Sequence, residues 1–85
     1  MTSDALPRAA RVLHAEGETC AGLTPVIQAE MRGLEPGAVL EVRSDDPSAR
    51  DGIASWSRLT GNELLAVDEN GVHTRFFLRK KQTPA

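Results

Sequence analysis

Leu23, Ile27, Met31 and Leu34 follow one another at spacings of four, four and three, which puts them on one face of a helix. Thr24 followed by Pro25 offers a hydroxyl cap and a first-position proline, so this helix is expected to start there. Gly33 loosens its last turn and Pro36-Gly37 stops it. Ahead of it, the run from Arg11 to Ala15 reads as a short strand ended by Gly17. Behind it, Val39, Leu40 and Val42 make a β-rich run within residues 38–44, closed by Asp45-Asp46-Pro47. A second helix is expected over roughly residues 52–60, with Asp51 as its cap, Gly61 just past its end, and Ile53, Trp56 and Leu59 as its apolar positions. Leu64 to Asp68 forms a third strand, and Asn70-Gly71 is a strong hairpin signal. In the fourth strand, residues 72–80, Val72, Thr74, Phe76 and Leu78 alternate with His73, Arg75, Phe77 and Arg79.

The order strand, helix, strand, helix, strand, strand implies an α/β (α+β) fold of βαβαββ order. Two right-handed crossovers place both helices on one face of a four-stranded mixed sheet. The other face then carries the alternate strand residues, with Phe77 as an exposed aromatic that hints at an interface. Residues 1–9 lack any period and read as a flexible N-terminal arm. Residues 10–81 form the domain, and residues 82–85 are a tail.

With 85 residues there is room for one domain only. No apolar run approaches the roughly 18 residues that a membrane span needs, and the start does not read as a secretory signal. A single cysteine excludes an internal disulfide and a cysteine-based zinc site, which makes a reducing cytoplasm the simpler context. Ten basic residues against twelve acidic ones give a net charge of −2, so the basic footprint of a nucleic-acid binder is missing. Neither direct nucleic-acid binding nor a membrane partner is expected. The local exception is Arg79-Lys80-Lys81, either a solvated chain end or a small docking patch for an acidic partner. Phe77, Arg79 and Lys80 are the docking candidates.

Chemistry has few places to go. Cys20 is the sole residue with strong nucleophilic reach, and it lies in a loop-like stretch of small residues just before a helix, whose positive end favours a thiolate. The alternative is a buried cysteine serving as a small hydrophobe. His14 and His73 read as strand residues, Asp45 and Asp46 as turn and capping residues rather than metal ligands, and Trp56 as core. Ser57 has no evident activating base. No cofactor or metal is expected, and the chain is too short to enclose a deep pocket.

Three stretches carry a family resemblance across most of the chain, from about Val12 to Lys81: Gly17-Glu18-Thr19-Cys20; Leu34-Glu35-Pro36-Gly37-Ala38-Val39-Leu40-Glu41-Val42 leading into Asp45-Asp46-Pro47; and Trp56-Ser57-Arg58-Leu59-Thr60-Gly61-Asn62-Glu63-Leu64-Leu65. With the closing Phe77-Leu78-Arg79-Lys80, this resembles the TusA/SirA-like family of small sulfur-carrier proteins. The resemblance implies a two-layer sandwich of two helices on a four-stranded mixed sheet. It also implies sulfane sulfur carried as a persulfide on Cys20, a sulfur donor (a cysteine desulfurase or a rhodanese-like protein) and an acceptor protein. Such an activity is sulfurtransferase-type.

The sequence also departs from the family pattern. The Cys-Pro-x-Pro motif reads Cys20-Ala21-Gly22-Leu23, Ser57 stands where a second cysteine is common, and Asn62 replaces a histidine. Without the prolines the helix is expected to begin about a turn later, at Thr24-Pro25, which weakens the helix-end stabilisation of a Cys20 thiolate. The alternative function is a non-catalytic binding or regulatory module that keeps the fold and has lost sulfur transfer.

Overall fold

In a computed structural model of the chain, the described residues are 8–17, 20–69, 71 and 73–81, with residues 20 and 21 described in backbone only. Most of the expected arm, the tail at 82–85, and Asn70 and Val72 of the expected hairpin lie outside them. The elements run β1 (Arg11–His14), α1 (Cys20–Arg32), β2 (Val39–Ser44), α2 (Ala49–Thr60), β3 (Glu63–Asp68) and β4 (Thr74–Arg79). The sheet order is β1-β2-β4-β3, with β1 parallel to β2 and the other two pairings antiparallel. The final hairpin thus slots β4 between the two strands that α2 connects. The expected βαβαββ order and mixed four-stranded sheet are both present.

Strand alternation sorts the residues into two faces. Leu13, Val42, Phe76 and Val67 form one cross-strand row, and Leu40, Leu78 and Leu64 form another. These rows pack against Leu23, Ile27 and Met31 of α1 and Ala49, Ile53 and Trp56 of α2 in a single core cluster. Both helices therefore cover the same sheet face. Leu64 and Val67 are an odd number of residues apart yet share that face, because the register shifts between Leu64 and Ala66. At the edge strand, Arg11 reaches over the core face to bond Glu30 of α1 at 2.8 Å.

Several expectations are corrected here. α1 starts at Cys20, a turn before Thr24, and carries Pro25 inside it. The physical reason is Leu23: it lies four residues before Ile27 on the same face, and its burial (1% exposed) needs the preceding turn to be helical. α2 starts at Ala49, and Asp51 sits within its first turn rather than capping it. Asp46 shapes the entry instead, its Oδ1 accepting from the Ser48 backbone N–H at 2.9 Å and from the Ser48 hydroxyl at 2.8 Å. Asp45-Asp46-Pro47 is thus the strand-to-helix turn that the sequence suggested.

Leu59 does not join the core but is 86% exposed. It lies about 120° around the helix from Ile53, whereas Ala49, Trp56 and Thr60 fall within about 60° of it. His73 precedes β4 rather than lying in it, because β2 ends at Ser44 opposite Thr74 and leaves nothing further to pair with.

Phe77, expected as an exposed aromatic, is 2% exposed. It does lie on the sheet face away from the helices, opposite Glu41 and Ala66. Arg75 lays its guanidinium over the ring, 5.6 Å from the centre. The same guanidinium pairs with Asp68 and, at 3.7 Å, with Glu41, which also binds Arg43 at 2.8 Å. Arginine stems and their carboxylate partners therefore do on this face what a second helix layer would otherwise do.

Candidate functional site

The parallel pairing of β1 with β2, and the antiparallel return of β4, bring three connections to one end of the sheet: β1 to α1, β2 to α2, and β3 to β4. Cys20 is the first residue of α1 and so belongs to this end. Its side chain, and with it the expected exposure of the sulfur, lies outside the described residues, as do Glu18 and Thr19.

The chain is tied down as far as Gly17. Ala15 is buried and donates its N–H to the carbonyl of Arg43 at 2.9 Å. Gly17 turns the chain with φ +90, in the left-handed region that glycine alone enters cheaply, and no atom approaches the place a Cβ would take. The Gly17 N–H donates to Asp45 Oδ1 at 2.9 Å, which joins this loop to the one before α2. Asp45 thus fixes the loop at Gly17, a contact beyond the turn and capping function read from the sequence. Nothing local in the sequence announces a contact across 28 positions.

Two histidines and a glutamate occupy the same end. His14 Nδ1 lies 3.6 Å from Glu16 Oε2. A backbone hydrogen bond holds the Glu16 carboxyl below its usual range against partial desolvation, with His14 and His73 adding to the lowering. The buried Nδ1 of His73 has no hydrogen-bond partner among the described residues. Among the described residues, no three His, Cys, Asp or Glu side chains come together to hold a metal.

What a helix start offers is electrostatic. The first N–H groups of α1 have no acceptor within the helix, and the summed peptide dipoles favour negative charge at that end. A thiolate is the nucleophilic form of cysteine, so the first residue of a 13-residue helix is a suitable place to hold one.

The other two departures from the family pattern sit at the far end of the sheet. Ser57 donates its hydroxyl to the carbonyl of Asn62 at 2.6 Å. Asn62 is buried; it donates Nδ2 to Thr60 Oγ1 at 3.0 Å and accepts the Lys81 N–H at Oδ1 at 2.7 Å. Ser57 and Asn62 therefore tie the end of α2 to the starts of β3 and the exit of β4. Of the docking candidates, Arg79 pairs with Glu63, and Lys80 donates Nζ to the carbonyl of Leu34. Arg79, Lys80 and Cys20 are at opposite ends of the sheet, so they do not form one site.

Residues 11–80 match the family model described as Sulfurtransferase TusA. The sulfur carrier protein TusA of Pseudomonas putida (strain GB-1) is 33% identical over 70 residues, covering 82% of this chain and 88% of the relative. YrkI of Bacillus subtilis (strain 168) is 32% identical over 72 residues, covering 82% of this chain and 93% of the relative. YrkF of the same organism is 33% identical over 75 residues, but there the chain spans only 40% of the relative's length.

Proposed function

The chain belongs to the TusA family, and from that premise we propose that it is a small sulfur carrier that holds sulfane sulfur as a persulfide on Cys20. The observation that carries this reading is the start of α1 at Cys20, the chain's one cysteine. The helix end that the missing prolines were expected to move a turn later begins at Cys20 itself.

The transfer balances without a metal or an added oxidant. The Cys20 thiolate attacks the outer sulfur of a donor protein's persulfide, a new S–S bond forms on Cys20, and the donor's own S–S bond breaks to release a thiolate. The acceptor repeats the step in the other direction and regenerates the Cys20 thiolate. The donor is a cysteine desulfurase or a rhodanese-like protein and the acceptor is a second protein. Sulfurtransferase activity in the cytoplasm is part of the same reading. The described residues include no helix long and apolar enough to cross a membrane.

The competing reading, a binding module without chemistry, drew on the missing prolines and on an exposed Phe77. The helix start and the burial of Phe77 weaken both motives. Intact-mass spectrometry after incubation with a cysteine desulfurase and cysteine separates the two. The carrier gains one sulfur atom, removable by a thiol reductant and missing in Cys20→Ser. An unmodified mass under conditions that load a known carrier would overturn the assignment.

A further inference from the structure

At the end of the sheet remote from Cys20, the C-terminal halves of α1 and α2 and the exit of β4 enclose a hollow of about 430 Å³. Its lining includes Met31, Arg32, Leu59, Asn62, Lys80 and Lys81. Met31 is buried, while Leu59, 86% exposed, projects beside it. Among the described residues, no acidic one lines this hollow. A second hollow of about 410 Å³ shares Lys80 and Lys81 and adds Arg79 with a single acid, Glu63, which is already paired with Arg79. This end is therefore positive on a chain whose net charge is −2. The Lys80 ammonium is also held in place by the Leu34 carbonyl, and the backbone of Lys81 by Asn62.

We propose that this hollow is a docking surface for an acidic segment of a partner protein, one that brings an apolar side chain to Leu59 and carboxylates to Arg32, Lys80 and Lys81. Charge complementarity names the chemistry, and fixed cations lose less freedom on binding than mobile ones. Nucleic acid is the poorer occupant. Its lining among the described residues offers no aromatic ring for base stacking, and an exposed leucine is of no use to a phosphate backbone. The surface lies about 16 Å along α1 from its first turn, so a segment bound here leaves Cys20 open. It goes beyond the carrier reading and stands or falls separately from it.

The test is an amide NMR titration of the intact protein with a synthetic Glu-rich peptide bearing leucines on one face. A Lys-rich counterpart and oligothymidylate serve as comparisons. Saturable shifts centred on Arg32, Leu59, Lys80 and Lys81, with the acidic peptide alone, support the proposal. Lys81→Glu is expected to weaken binding about three- to tenfold, and Leu59→Ser about tenfold or more. Cys20→Ser is expected to bind unchanged. The shifts are expected to fade in high salt. No saturable shifts, shifts centred elsewhere, or equal binding of oligothymidylate would each overturn it.

Discussion

Replacing Pro25 by alanine decides between two starts for α1. If the helix began at Thr24-Pro25, proline would be at a favoured first position and its loss would cost stability. With α1 starting at Cys20, Pro25 is the sixth helical residue. An alanine there gains an N–H that reaches the Ala21 carbonyl four residues back, one net hydrogen bond of about 1 kcal/mol. It also relieves a proline whose interior penalty is as much as about 3 kcal/mol, a penalty softened because only one turn precedes it. Against this stands the stiffness that proline lends the unfolded chain, about 0.4–1 kcal/mol. The expected net result is about 1–2 kcal/mol of added stability. In a domain of this size that raises Tm by about 4–16 °C. Differential scanning calorimetry reads the shift, and amide exchange at residues 22–24 should slow with it. Thr24→Ala sharpens the comparison, since a cap would lose about 1 kcal/mol whereas a mid-helix threonine replaced by alanine gains a few tenths. A fall in Tm for either variant would refute the helix start at Cys20, and with it the electrostatic basis for a favoured thiolate.

Other outcomes follow from the same geometry. Gly61 closes α2 at φ +82, and a Cβ there would meet Lys81 Cδ at 2.9 Å. Gly61→Ala should lower stability by about 1–2 kcal/mol and Gly61→Asn by less, because asparagine tolerates the left-handed region; equal losses in urea titrations would instead implicate the lysine contact. Phe77→Ala removes a ring that is 2% exposed beneath Arg75 and should cost about 3 kcal/mol, whereas an exposed docking aromatic would cost under about 0.5 kcal/mol. The Glu16 carboxyl is held below its ordinary value of 4.5 when folded, so its contribution is present above that value and disappears as pH falls through the lower, folded one. Glu16→Gln should therefore differ from wild type in Tm at neutral pH and converge with it in acid; a gap that persists into strong acid would contradict the assignment.

The fold was legible because local signals agree with one another. The stripe Leu23, Ile27, Met31 and Leu34 turned out buried in full, Gly61 ends α2 as a left-handed cap, and Phe76 and Leu78 face the core. What could not be read was decided by tertiary contacts. Local preference at Thr24-Pro25 lost to the burial of Leu23. Alternation correctly put Phe77 on the face away from the helices, but it could not show that Arg75 would swing over the ring. Leu59 was misplaced because a spacing of three from Trp56 looks helical, although that step carries it around toward solvent. At the candidate site, Cys20 stood out in the sequence as the lone cysteine before a helix, and the resemblance pointed to the same residue. The tether from Gly17 to Asp45 was not, since it joins two loops that only the parallel pairing of β1 and β2 brings together.

The departures from the family pattern look equally serious in the sequence, yet the fold separates them. Ser57 and Asn62 belong to a hydrogen-bonded knot at the far end of the sheet, where they join α2 to β3 and to Lys81. Exchanging a thiol and an imidazole for a hydroxyl and an amide there changes how the chain closes, and it leaves the surroundings of Cys20 untouched. Ala21, Gly22 and Leu23 instead form the first turn of α1, directly after Cys20. Two prolines would stiffen that turn from within. Here Leu23 in the core on one side and the Gly17–Asp45 bond on the other hold it from outside. The backbone is thus fixed at Gly17 and again at Leu23, on either side of Cys20. Loss of the prolines leaves α1 starting at Cys20, so a thiolate is still expected to be favoured there.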